Sequence, residues 1–144
     1  MIVPDVNLLV YAHSRKGPWH DEARDWWEGL LNGGMRVGIP WMVAAGFVRI
    51  VTNPKVMSPP VPARDAVERV EEWFEVPGVS PVNPGPDHLI HFKRLLETCA
   101  SAGRLATDAH IAAIAIEFQA EVHSNDGDFG RFPGLRWRNP IRRP

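Results

Sequence analysis

MIVPDVNLLVYAH, residues 1–13, decides how the rest of the chain is read. Met1, Ile2 and Val3 read as a short buried strand, and after Pro4 and Asp5 an apolar helical run begins at once, from Val6 to about His13. Asp5 is the junction. A carboxylate at the entrance to a core costs several kcal/mol unless it is paired, hydrogen-bonded or neutralised. Two readings are open at this point: Asp5 caps the helix that follows, or it holds a metal ion.

The same strand-to-helix punctuation recurs along the chain. Pro18 fits the first turn of a second helix, PWHDEARDWWEGLLN, with Trp19, Ala23, Trp26 or Trp27, and Leu30 on its apolar face. MRVGI is predicted as a second strand and residues 41–51 as a helix ended by Thr52, Asn53 and Pro54. MSPPVPA is a loop, and its Pro62 starts a helix with Val67, Val70 and Phe74 inward. VSPV is a third strand. A helix from Asp87 to about Ala102 carries Leu89, Phe92, Leu96 and Cys99 in register and ends at Gly103. Thr107 is placed as the N-cap of the helix DAHIAAIAIEFQ, AEVHS as the last core strand, and LRW as an edge strand after the loop NDGDFGRFPG.

Strands alternating with helices predict an α/β fold: a central, mainly parallel sheet of four to five short strands, covered by helices on both faces. With 144 residues the expectation is one domain, 1–144. The single cysteine, Cys99, excludes an internal disulfide and fits a reducing cytoplasm. The chain opens without a secretory signal, and runs such as IAAIAI are too short to span a bilayer, so no membrane partner is expected.

In an open parallel sheet, ligands sit beyond the carboxyl ends of the strands. Asp5 follows the first strand and Asp126 the last core strand, while Asp108 starts a helix that returns from that rim. Taken singly, each has a plain explanation as a cap, a dipole partner or a turn residue. Taken together they repel, by roughly 4 kcal/mol for a pair about 4 Å apart at an effective dielectric of 20. A hard divalent cation is the usual remedy.

Four segments in this order, IVPDVNLLVYA, FVRIVTNPKV, LATDAHIAAIAIE and SNDGDFGRFPGLRWRNP, resemble the PIN-domain family, and within it the VapC-type toxins of bacterial toxin–antitoxin pairs. The resemblance covers nearly the whole chain. It implies a three-layer α/β/α fold, a Mg²⁺- or Mn²⁺-dependent endoribonuclease, a cognate antitoxin that inhibits it, and a homodimer. Asp5, Asp108 and Asp126 match the family's first, third and fourth acids, as catalytic and metal-binding residues. Asn7 and Ser124 match supporting polar positions, and Asp128 an additional acid. The second acid is missing: Gly46 stands in its place, which removes one charge and one ligand and makes Asp128 the candidate substitute. One ion held tightly and a second arriving with substrate is the expected stoichiometry. A catalytically weak or silent relative that binds RNA or antitoxin is the alternative.

Other chemistries find less support. The six histidines include the i, i+3 pair His88 and His91, but no cysteine pair or H-E-x-x-H accompanies them. His110 lies about 200° round the helix from Asp108 and points away from the acidic rim. Ser14, Ser101 and Ser124 lack a G-x-S-x-G setting. DVNLL is similar to the opening of aspartate-nucleophile phosphatases, except that Asn7 replaces their second aspartate. Arg49, one turn after Gly46, is placed to meet either a backbone phosphate or an internal acid. The last fourteen residues carry five arginines and no acid, Arg136, Arg138, Arg142 and Arg143 among them, on a body of net −6. That tail steers RNA or is simply solvated. With overall net charge −1, RNA affinity should be modest and salt-sensitive. The six tryptophans read as core filling or as a partner surface.

Overall fold

Ile2–Pro4 form β1, buried along its whole length, and Asp5 turns the chain directly into α1 (Val6–His13). The elements that follow are α2 (His20–Asn32), β2 (Val37–Pro40), α3 (Trp41–Val51), α4 (Ala63–Glu75), β3 (Val79–Val82), α5 (His88–Glu97), α6 (Ala106–Glu117), β4 (Glu121–His123), a 3₁₀ turn (Gly127–Arg131) and β5 (Arg136–Arg138). The computed structural model describes residues 1–99 and 103–141. Ser101, Ala102, Arg142 and Arg143, named in the sequence reading, lie outside the described residues.

The five strands form one sheet in the order β3-β2-β1-β4-β5, and each neighbouring pair is parallel. Helices cover it in two groups. In one, α1 packs on α2 and α3, and α3 on α4; in the other, α5 packs on α6. β1 and β2 are buried at every position because parallel strands have a helix layer on each face. β3 is an edge strand, so Pro81 is tolerated in it and Ser80 is exposed. Glycine is required at position 38: a Cβ there would stand 2.8 Å from Val82 Cγ1 on the neighbouring strand.

The core beneath α1 is aromatic. Trp73 packs edge-on to Phe47 at 4.7 Å and to Trp27 at 5.8 Å, and His13 lies 5.1 Å from Phe47. Each such buried side chain contributes roughly 1.5–3 kcal/mol. Trp27 and Trp73 are therefore core residues, whereas Trp19 and Trp41 are about half exposed.

Several local expectations are corrected. α2 begins at His20, two residues after Pro18, because Trp19 adopts a left-handed conformation that breaks the helical run, and its ring faces solvent. α4 buries Ala66, Val70 and Trp73, leaving Val67 exposed. α5 buries His88 and Leu95, leaves Leu89 exposed, and ends at Glu97 rather than near Gly103. Thr98 closes that end by donating its hydroxyl to the Leu95 carbonyl at 2.8 Å. Leu105, not Thr107, precedes α6, and among the described residues no side chain caps it.

Candidate active site

β1 and β4 are adjacent and parallel, with Pro4 opposite His123, so the next residue of each strand emerges at the same rim. Those residues are Asp5 and Ser124. The Asp5 amide completes the ladder by donating to the His123 carbonyl at 2.9 Å. The Asp5 side chain then does two things at once. Oδ1 accepts from the Val6 amide at 2.8 Å, and Oδ2 accepts from the Ser124 hydroxyl at 2.7 Å. Asp5 thus caps α1 and also lies in the rim, so the two readings of this residue are compatible. Burial pushes its carboxyl above the usual range; the Ser124 and Val6 hydrogen bonds oppose that, and the charge of Asp126 adds to it.

Ser124 is fully buried and links both sides of the rim. Its oxygen accepts from the Asp126 amide at 2.9 Å and from Asn7 Nδ2 at 3.4 Å. Asn7 Oδ1 is buried and accepts no hydrogen bond from a described residue. Asp126 in turn caps the 3₁₀ turn, its Oδ1 accepting from the Asp128 amide at 2.9 Å. The loop expected between the last core strand and LRW is therefore an ordered turn that aims acids at the rim.

Asp108 enters from the first turn of α6. One ligand oxygen each from Asp108, Asp126 and Asp128 lies within 4.8 Å of the others. Among the described residues this is the one group of three or more potential ligand residues drawn so close. Asp108 is half-buried, and its carboxyl is pushed up to about 7, first by burial, then by the charges of Asp126 and Asp5 and by a hydrogen bond with Asp126. Asp128 behaves oppositely: a hydrogen bond from Arg104 holds its carboxyl below the ordinary value, and Arg131 adds to that. Of the expected trio, Asp108 and Asp126 lie this close, with Asp128 as the third member in place of Asp5, which reaches them through its charge and through Ser124.

A Cβ on Gly46 would meet Val6 Cγ2 at 3.4 Å, so position 46 on α3 packs against the residue that follows Asp5. Arg49 is exposed, and no hydrogen bond or ion pair with a described residue ties it to the acids. His110 does point away, bonding His88 across 2.9 Å, and His91 contacts Arg94. Sequence reasoning did not single out Arg104 and Arg131, although Arg131 stands three residues from Asp128, the spacing at which side chains of a 3₁₀ turn align. Nor did it give His123, weighed only with the other histidines for zinc, its buried role: its Nδ1 accepts from Trp26 Nε1 at 2.9 Å. A cleft of about 700 Å³ opens at the far end of α1, lined by His13, His20, Arg69 and Trp73; no acid of the rim lines it.

The model of the PIN domain matches residues 2–135. Ribonuclease VapC33 of Mycobacterium tuberculosis is 42% identical over 142 residues, 99% of each chain. Ribonuclease VapC37 of the same organism is 36% identical over 140 residues, 97% of each chain. Among solved structures, VapBC-1 of nontypeable Haemophilus influenzae superposes with a TM-score of 0.71 at 17% identity, covering 99% of this chain and 100% of that one. The M. tuberculosis toxin VapC20, described as cleaving the sarcin–ricin loop, superposes at 0.65 with 17% identity, covering 94% and 99%. At that identity these two structures speak for the fold alone. No helix among the described residues is long and apolar enough to cross a membrane. Fold, rim and relatives agree: the chain belongs to the PIN-domain family, among the VapC proteins.

Proposed function

We infer that this chain is a metal-dependent endoribonuclease, the toxin of a toxin–antitoxin pair, that cleaves RNA phosphodiester bonds at its acidic rim. The carrying observation is the approach of Asp108 and Asp126 oxygens to within 4.8 Å of each other, with Asp5 tied to Asp126 through Ser124 and the pKa of Asp108 pushed up to about 7 by burial and by the charges of Asp126 and Asp5. The close relatives named as ribonucleases supply the reaction class.

The donor set fits a hard divalent ion. It is all oxygen, anionic and crowded, and its mutual repulsion is what such an ion would relieve. Asp5, Asp108 and Asp126 would hold it, and Mg²⁺ or Mn²⁺ suits those donors. When bound, the ion supplies Lewis-acid polarisation of a phosphoryl oxygen and a lowered pKa for coordinated water. The chain's own residues do the rest. The Ser124 hydroxyl holds Asp5 Oδ2 while its oxygen accepts from the Asp126 backbone amide, so one side chain ties the Asp5 carboxylate to the backbone that carries Asp126. Without metal, Asp108 holds a proton near neutral pH, and that proton must leave when a cation enters. Asp126 would either take a second ion or orient an attacking water as a base.

The whole chain, 1–144, is read as a single PIN domain working in the cytoplasm. Trp41 and Met42 on α3, and Leu89 and Ile90 on α5, are exposed and offer apolar area for a homodimer or a cognate antitoxin. A second reading, a weak or silent relative that binds without cutting, is favoured by one observation: Gly46 stands in the sequence where the family resemblance expects an acid.

The test is a cleavage assay on labelled RNA with Mg²⁺ or Mn²⁺, comparing the native chain with Asp5→Ala, Asp108→Asn and Asp126→Asn. Cleavage that vanishes with chelator and falls at least about a hundredfold in each variant is expected. Cleavage that survives all three would reject the mechanism. RNA binding without cleavage would select the second reading.

A further inference from the structure

Asp128 reaches the acidic rim with its charge already answered. Its Oδ2 accepts from Arg104 Nη1 at 2.9 Å, and its Oδ1 lies 3.6 Å from Arg131 Nη1. Both carboxylate oxygens therefore face guanidiniums. The two arginines come from opposite sides. Arg104 precedes α6, and Arg131 lies one 3₁₀ turn beyond Asp128, where i and i+3 side chains eclipse. Arg104 is 59% exposed and Arg131 42%, whereas Asp128 is 27% exposed. Neither arginine has another hydrogen bond or ion pair among the described residues. A guanidinium carries five donors, so most of each remains available to solvent or to an incoming anion.

The charge count points the same way. Asp5, Asp108 and Asp126 repel a phosphate, while Arg104, Arg131 and Asp128 together carry net +1 immediately beside them. A carboxylate wedged between two arginines holds both forks in place, and that fork geometry matches phosphate oxygens.

We propose that Arg104 and Arg131 form a clamp for the RNA backbone phosphate at the edge of the acidic rim, with Asp128 as the positioning residue that holds them and not as a metal ligand. The clamp takes the identity of its anion from the ribonuclease reading. It removes Asp128 as the stand-in for the acid missing at Gly46.

Three measurements on the full chain test it: Mn²⁺ binding by calorimetry, anisotropy of a labelled single-stranded RNA oligonucleotide in chelator across a salt series, and cleavage. In R104Q/R131Q, RNA affinity should fall at least about tenfold, and the salt slope should flatten by about 0.7, the share of one neutralised phosphate. R104K/R131K, which keeps the charge and loses the forks, should retain that slope and recover part of the affinity. D128N should change Mn²⁺ affinity by less than about threefold, keep the salt slope, and weaken RNA binding severalfold because the arginines are no longer held. The proposal is overturned if D128N loses Mn²⁺ binding, or if R104Q/R131Q leaves RNA affinity and slope unchanged. A native chain that binds RNA through the clamp but never cuts it would defeat the ribonuclease reading while supporting the clamp. A chain that cuts RNA normally without either arginine would do the reverse.

Discussion

The Ser124 hydroxyl donates to Asp5 Oδ2 at 2.7 Å across 119 residues of sequence, and the same oxygen accepts from the Asp126 amide. One buried side chain thereby couples the ends of β1 and β4. Ser124→Ala leaves a buried carboxylate oxygen and a backbone N–H unpaired, which costs about 1–3 kcal/mol. Urea unfolding should register that loss. Mn²⁺ affinity should fall about 10–100-fold, the usual effect of removing a partner that orients a ligand. If stability drops and Mn²⁺ affinity holds, Ser124 is structural only.

Asp108 gives the metal-free protein a pH dependence of unusual sign for a carboxylate. Its folded pKa of about 7 lies above its unfolded value near 3.9, so the native state binds the extra proton between those limits. Stability from this group is therefore fully present at low pH and is lost as pH rises from about 4 towards 7. Because Asp108 is half exposed, solvent screening reduces the full shift to about 1–2 kcal/mol. Asp108→Asn should raise the melting temperature at pH 8 by several degrees in chelator and flatten the pH profile. Saturating Mn²⁺ should reverse the order, stabilising the native chain above the variant. A variant no more stable than the native chain at pH 8 in chelator would show that the rim is not under charge strain.

How much of this was legible follows from the range of each interaction. The junction at Asp5 could be read because strand, acid and helix are contiguous, and Asp126 because it follows a strand of the same sheet. The convergence of the rim needed the parallel-sheet rule. Individual helix faces were harder. In α4, Val67, Val70 and Phe74 and the buried Ala66, Val70 and Trp73 are overlapping stripes, and only packing against Phe47 and Trp27 chooses between them. In α5 the inward position belongs to His88, which no apolar pattern reveals because its partners are His110 and Glu117. Arg104 and Asp128 lie 24 residues apart and meet only through the fold.

His123 offers a test of the scaffold behind the rim. Its Nδ1 accepts from Trp26 Nε1 at 2.9 Å, so its Nε2 carries the proton donated to Glu121 Oε1 at 2.7 Å, and the ring is neutral. Burial lowers its pKa. Its contribution is therefore complete above the unfolded value near 6.5 and is lost as pH falls towards the lower folded value. Trp26→Phe removes the donor, costs about 1–3 kcal/mol at pH 7.5, and frees Nδ1 to take a proton. The His123 ring resonance should then titrate at higher pH than in the native chain, and the stability gap between the two proteins should narrow at pH 5. An unchanged titration would mean that Trp26 does not set the tautomer.

Gly46→Glu asks whether the rim can be completed. The position faces Val6 with ordinary contact for a Cβ at 3.4 Å, it lies on α3 one turn before the exposed Arg49, and glutamate is a better helix former than the glycine it replaces. Helix propensity alone should add about 0.5–1 kcal/mol. Against that, a further carboxylate beside Asp5, Asp108 and Asp126 raises repulsion when no metal is present. The two effects separate with conditions. In chelator the variant should be no more stable than the native chain, while in Mn²⁺ it should gain, with metal affinity tighter by about tenfold, or 1.4 kcal/mol. RNA cleavage should rise in step with metal occupancy at limiting Mn²⁺ and converge with the native rate at saturation. Tighter metal binding with no change in cleavage at limiting Mn²⁺ would place the added carboxylate outside the reacting centre and leave the native chain's shortage of acids without consequence for activity.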